Sequence, residues 1–225
     1  MKIEKISRIK THTIYKRAGD SKRVPSVTTV LGTCLAKPFL IKWANNLGLQ
    51  GVDSSKYVDR LATIGTLAHH WIESILNGIE PTLDGYSDEE KDYASNSVIK
   101  FLEYHSEIKP RIIRTELKLV SEDYGYGGTI DCLCEIAGQG VGILDIKTGK
   151  AIYDEHLYQL AAYFQLAQEH GYNPQWVTVV QVGRNAEEGF SVRHCSGPEL
   201  AKNWDVFEAC LNLYQAVKAV KAVKK

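Results

Sequence analysis

Between Arg111 and Ile146 the sequence changes its period. Three segments, Arg111 to Val120, Gly127 to Ile136 and Gly142 to Ile146, read as strands, joined by the short, glycine-containing connections Ser121 to Tyr126 and Ala137 to Val141. Links this short cannot carry a crossover helix, so neighbouring strands are expected to pair as antiparallel hairpins. That constraint decides which side chains share a face. In Ile143-Leu144-Asp145-Ile146-Lys147-Thr148, alternation puts Asp145 and Lys147 on one side, roughly 6–7 Å apart at the backbone, with Leu144 and Ile146 toward a core. Asp131 ends the run Gly127-Gly128-Thr129-Ile130-Asp131 on the preceding strand and can face Asp145 across the hairpin.

Two carboxylates and one ammonium on a small patch suit a particular chemistry. Close carboxylates repel, and a hard divalent cation held by oxygen ligands relieves the repulsion. The ammonium can then hold a water or a phosphate oxygen. Taken alone, the segment is equally well read as a structural ion pair on the solvent face of a hairpin. Three further features bear on the choice. Gln159 and Tyr163 stand four apart, on one face of the helix that follows. His69 closes Gly65-Thr66-Leu67-Ala68-His69, sharing a helix face with Glu73 while His70 points elsewhere; neutral imidazole is a good metal ligand. Glu116 lies inside an apolar strand, where a half-buried acid needs a partner.

The rest of the chain frames this centre. Arg8 to Arg17 reads as a strand turned back by Ala18-Gly19-Asp20, and Ser26 caps a helix starting near Val27. Lys37 to Gly48 reads as a short helix stopped by Gly48. Ser55 to Gly78 has helical spacing, with Gly65 a candidate break. Ser87-Asp88-Glu89-Glu90 is a capping box opening a helix to about His105. Asp154 to His170 is helical, Trp176 to Val182 and Gly189 to His194 are strands, and Gly197 opens a final helix. The expected fold class is α/β: residues 64–225 form a mixed central sheet flanked by helices, and residues 1–63 form a hairpin and helical region before it.

Composition excludes several classes. With 44% hydrophobic residues in a 225-residue chain, a substantial core is available, yet no apolar run is long enough to span a bilayer. The start Met1-Lys2-Ile3-Glu4-Lys5 lacks a signal-peptide h-region, so a cytoplasmic location, in a bacterial cell or a phage-infected host, is the default expectation. Cys34, Cys132, Cys134, Cys195 and Cys210 lack CxxC spacing, which speaks against a disulfide framework or a zinc ribbon. Net charge is zero, but Lys2, Lys5, Arg8, Lys10, Lys16, Arg17, Lys22, Arg23, Lys37 and Lys42 face only Glu4 and Asp20. Such a basic stretch tracks a phosphate backbone or is simply a solvated surface.

The order G-T-x-x-H, strand Glu, G-G-T-x-D, D-x-K-T and Q-L-x-x-Y, from Ile64 to Tyr163, resembles the RecB-like branch of the PD-(D/E)XK nucleases. Val24-Pro25-Ser26-Val27-Thr28-Thr29-Val30-Leu31, with Trp43 in the next helix, further resembles phage and mitochondrial genome-maintenance exonucleases. The resemblance implies a restriction-endonuclease-like core that hydrolyses DNA phosphodiesters with Mg²⁺ or Mn²⁺. It implies His69, Asp131, Asp145 and the carbonyl of Ile146 as metal ligands, Lys147 as the catalytic lysine, Gln159 and Tyr163 as helix residues supporting the site, and Glu116 at an often acidic position. Several relatives carry a four-cysteine iron–sulfur cluster; the cysteine spacing here predicts none. The expected activity is that of an exonuclease on single-stranded DNA or DNA ends. The alternatives are a structure-dependent endonuclease and a non-catalytic DNA-binding or adaptor protein that keeps the fold. Neutral net charge leaves room for a helicase or recombinase partner that delivers the DNA.

Overall fold

The computed structural model describes residues 13–223. Two short strands, β1 (Tyr15–Lys16) and β2 (Arg23–Val24), pair antiparallel. Four helices follow: α1 (Val27–Cys34), α2 (Phe39–Leu49), α3 (Ser54–Leu76) and α4 (Asp88–Ile108). The order then runs β3 (Arg111–Ser121), β4 (Tyr126–Ile136), β5 (Gly140–Thr148), α5 (Asp154–Glu169), β6 (Trp176–Val182), β7 (Phe190–Ser196) and α6 (Gly197–Val223). Strands β3 to β7 form one five-stranded sheet in sequence order. The β3–β4–β5 meander is antiparallel, β6 joins β5 in parallel after the α5 crossover, and β7 returns antiparallel. This is the expected mixed sheet flanked by helices. Residues 1–12, which include part of the strand expected from Arg8, and residues 224–225 lie outside the described residues.

Alternation along the central strands buries both faces of the sheet. Ile143, Val177 and Val179 pack with Leu160 and Leu166 of α5, Phe207 of α6 and Val27 and Val30 of α1. Leu144, Ile146, Val180 and Val182 pack on the opposite face against Ile72 of α3 and Val98 and Phe101 of α4. Each fully buried side chain of this size stabilises the fold by about 1.5–3 kcal/mol. Burial also explains α1. The β-branched run Val27-Thr28-Thr29-Val30 is a poor helix former, but Ser26 caps it by accepting the Thr29 amide, and Val27 and Val30 are fully covered.

Two glycines do less to the helices than the sequence suggests. Helix α2 passes through Gly48 to Leu49, and α3 runs unbroken through Gly65. One glycine costs a helix about 1 kcal/mol relative to alanine, which packing over several turns outweighs. Gly65 serves a different purpose: a Cβ there would sit 2.7 Å from Thr148 Oγ1. Its bareness lets α3 press onto the end of β5, one turn before His69.

Candidate active site

The site lies where the central ladders give way. Pairing between β4 and β5 runs from Ile136↔Gly140 to Cys132↔Leu144 and stops one rung short of Asp131 and Asp145. There Asp131 Oδ2 accepts the Ile146 amide at 2.8 Å, a side chain standing in for a backbone acceptor. On the other side, the β3–β4 register steps from Thr115↔Cys132 to Leu117↔Ile130 and omits Glu116, whose φ is +46°. A left-handed backbone at a non-glycine residue costs about 1–2 kcal/mol, which the surrounding strands must offset.

These departures gather acids beside a histidine. His69, Glu116 and Asp131 each offer a ligand atom, all within 4.8 Å of one another. His69 Nδ1 is 3.6 Å from Asp131 Oδ2. Asp145 is 1% exposed, and its Oδ2 meets Lys147 Nζ at 2.6 Å. Burial drives the Asp145 carboxyl above its usual range; Lys147 opposes that and Asp131 adds to it. Burial would lower the Lys147 ammonium, but Asp145 and Asp131 outweigh it, so Lys147 stays charged.

The residues fit a hard divalent cation. One imidazole and several carboxylates form a donor set of the right kind. The acids also show the strain that a cation relieves. Glu116 is pushed up to about 7 by burial, then by Asp131 and Glu73.

The sign of the resulting pH dependence follows. With a folded pKa near 7 against an ordinary 4.5, Glu116 holds its proton longer in the folded chain. Its contribution favours the fold below about 4.5 and is lost as pH rises through about 7. In EDTA, the midpoint of urea unfolding is expected to fall between pH 5 and 8, and to fall less for Glu116→Gln. Equal slopes in the two proteins would show that Glu116 does not carry this titration.

Helix α5 supplies the wall behind Asp145. Gln159 Nε2 donates to Tyr163 Oη at 2.6 Å, and both residues are buried. The Tyr163 ring lies against Gly128 so closely that a Cβ there would be 2.5 Å from Tyr163 Cε1 and 3.2 Å from Leu166 Cδ1. The G-G-T-x-D segment therefore reads as a bare stretch of strand over which a tyrosine packs. Gly128→Ala is expected to cost about 1–3 kcal/mol by overpacking, read as a lower denaturant midpoint with an unchanged slope.

A cleft of about 910 Å³ opens over the carboxylates, bordered by residues of β1, α1, α3, β3 and β4 and by Arg184. Glu116, Asp131, His69 and Tyr163 border it directly; Asp145 and Lys147 do not line it, and Asp145 lies close enough to Asp131 to feel its charge. Ile146 turns its side chain to the opposite face of the sheet and gives its amide to Asp131. His70, expected to point elsewhere, also borders the cleft, because the opening is wide enough to take adjacent positions of α3. Sequence reasoning missed Tyr15, hydrogen-bonded to Thr129 Oγ1 at 2.6 Å, as well as Lys118 and Arg184. Lys118 had a signal, since it stands two residues from Glu116 on the same strand face.

No protein-family model matches the chain, and no curated protein matches it. Among solved structures, an exonuclease candidate from Eubacterium rectale is 14% identical, with a TM-score of 0.51 over 69% of this chain and 68% of that one. At that identity the likeness shows the fold. The chain shares with that protein an α/β architecture, a mixed five-stranded sheet flanked by helices. An alkaline exonuclease from Laribacter hongkongensis is 16% identical over 70% of this chain and 84% of that one, with a TM-score of 0.38. A phage-related exonuclease from Haemophilus somnus is 9% identical over 68% and 82%, with a TM-score of 0.37. These last two likenesses are too loose to add weight. No helix among the described residues is long and apolar enough to cross a membrane.

Proposed function

We propose that this chain is a metal-dependent deoxyribonuclease of the RecB-like kind, an exonuclease acting on single-stranded DNA or DNA ends. The observation that supports it most is the convergence of His69, Glu116 and Asp131 within 4.8 Å on the wall of one cleft, with the buried Asp145–Lys147 pair near Asp131. His69, Asp131 and Asp145 would hold Mg²⁺ or Mn²⁺, with the Ile146 carbonyl as a further ligand and Glu116 adjacent. When bound, the ion supplies a polarised phosphate oxygen and a water of lowered pKa. Lys147, held by Asp145, presents its ammonium to the charge that develops on the phosphorane-like transition state, or orients the attacking water. Gln159 and Tyr163 support Asp145 from behind and keep bulk water from that side.

The exonuclease mode draws support from the N-terminal region. Helix α2 buries no residue and exposes Phe39, Ile41 and Leu49, while Trp43 lies against Tyr57 with ring centroids 6.1 Å apart. Unstacked bases stack on aromatic side chains such as Phe39 and Trp43 at about 1–3 kcal/mol each. In this reading residues 1–63 serve as a DNA-contacting cover, and a helicase or recombinase could deliver the strand. The test is digestion of end-labelled linear single- and double-stranded DNA, covalently closed circles and RNA, in Mg²⁺, Mn²⁺ or EDTA. Metal-dependent loss of linear DNA alone is the expected result. Cut circles would mean an endonuclease, and RNA-only cleavage would overturn the DNA assignment. A folded protein that cuts nothing would be a non-catalytic DNA-binding or adaptor protein.

A further inference from the structure

The connection between β6 and β7 is built more heavily than a hairpin needs. A two-residue turn would close such a pair. Here residues 183–189 are fastened from below by Lys100, whose Nζ donates to the carbonyls of Gly183 at 3.3 Å, Asn185 at 2.8 Å and Gly189 at 3.0 Å. Within the connection, Glu188 Oε2 accepts the Arg184 amide at 2.8 Å and Arg184 Nε at 2.9 Å, and Glu188 Oε1 accepts Arg184 Nη2 at 2.6 Å. Arg184 is only 6% exposed, yet it borders the cleft that holds the carboxylates.

This arrangement fixes the plane of a guanidinium and leaves one edge over. Two of its three nitrogens are committed to Glu188 in a fork-on-fork pair, which holds the group rigidly. Nη1 has no protein partner among the described residues. Lys150 adds a further positive charge near enough to act on Glu188 without pairing with it. A planar donor with a free edge, held in place beside a cleft, suits a phosphate oxygen better than a mobile lysine would.

We infer that Arg184 is an anion-binding point of the cleft, gripping a phosphate of the bound strand other than the one at the carboxylates. The inference rests on the nuclease reading above, and Arg184 is a substrate-binding residue within it. Its free edge takes either a backbone diester or a terminal monoester, since both present the same oxygens. The structural alternative is that Arg184 and Glu188 only brace the hairpin.

The variant Arg184→Lys separates the two. Lysine keeps the charge and the pair with Glu188 but has no second edge for the cleft. Arg184→Gln with Glu188→Gln removes both charges together and serves as a second variant should the first fold poorly. DNA binding by the full chain would be measured in Ca²⁺ across a salt series, and steady-state cleavage in Mg²⁺. Both variants are expected to bind about tenfold more weakly, to lower the slope of log K against log salt by about one, and to raise KM with kcat within about threefold. A loss equal on 5′-hydroxyl and 5′-phosphorylated oligonucleotides assigns the contact to a backbone diester; a loss confined to the phosphorylated one assigns it to the terminal group. If wild type cleaves DNA and both folded variants match it in affinity and salt slope, Arg184 is a brace and the inference falls alone. If wild type neither binds nor cuts DNA, the nuclease reading falls first and takes the inference with it.

Discussion

Asp131→Asn is expected to lower metal-dependent cleavage by about a thousandfold or more while leaving the fold intact. Asp131 belongs to the cluster with His69 and Glu116, and its Oδ2 also accepts the Ile146 amide at 2.8 Å. Asparagine is nearly isosteric and keeps an oxygen for that amide, so the splay of β4 from β5 survives. What it loses is the charge. A cation-stabilised transition state draws several kcal/mol from such a site, and about 4 kcal/mol is a thousandfold in rate. Stability should move the other way: removing one of several crowded carboxylates relieves Glu116 and Asp145, both raised in part by Asp131. Single-turnover rates paired with unfolding midpoints in EDTA would check both halves. A variant that is inactive because it is unfolded would contradict the argument, as would one that keeps its activity.

Lys147→Ala carries the second large effect, and here activity and stability fall together. The ammonium sits 2.6 Å from a carboxylate that is almost wholly buried. Removing one partner of a buried pair costs about 3–5 kcal/mol when the other must stay charged, and less when it can take a proton. Asp145 already has a raised pKa, first because of burial, and losing Lys147 raises it further. Its stabilising contribution is then present at low pH and lost as pH rises through the folded pKa. The metal-free variant should therefore unfold at lower urea than wild type, with the gap widening toward alkaline pH. Adding Asp145→Asn to Lys147→Ala should recover much of that stability, a coupling that a double-mutant cycle reads directly. Cleavage should drop by about 10²–10³-fold, and neither low pH nor the second substitution should restore it.

Much of this site was legible in the sequence because strand alternation is a strict rule. Once Ser121 to Tyr126 and Ala137 to Val141 read as hairpin connections, Asp131, Asp145 and Lys147 were expected on one patch; Asp145 and Lys147 pair directly, and Asp131 takes the Ile146 amide between them. The helical period is as strict, and the four-residue spacing of Gln159 and Tyr163 carried through to a direct hydrogen bond. What escaped was whatever depends on contact between distant segments. Gly65 looked like a helix breaker because its partner, Thr148, is 83 residues away and only the folded chain shows the close approach. The left-handed backbone at Glu116 has no signature, since glutamate does not favour it. Arg184 sits on a connection whose rigidity comes from Lys100 on another element, so nothing local distinguished it from a solvated arginine.

The most direct measurement is the anomalous diffraction signal of Mn²⁺ in crystals of the wild-type chain, collected above and below the manganese edge. The account predicts a peak bonded by His69, Asp131 and Asp145, with Glu116 beside it, and no such peak in Asp131→Asn crystals grown the same way. A protein that degrades linear DNA in Mn²⁺ but binds the ion elsewhere, with those side chains free of it, would contradict the claim that this cluster is the catalytic centre.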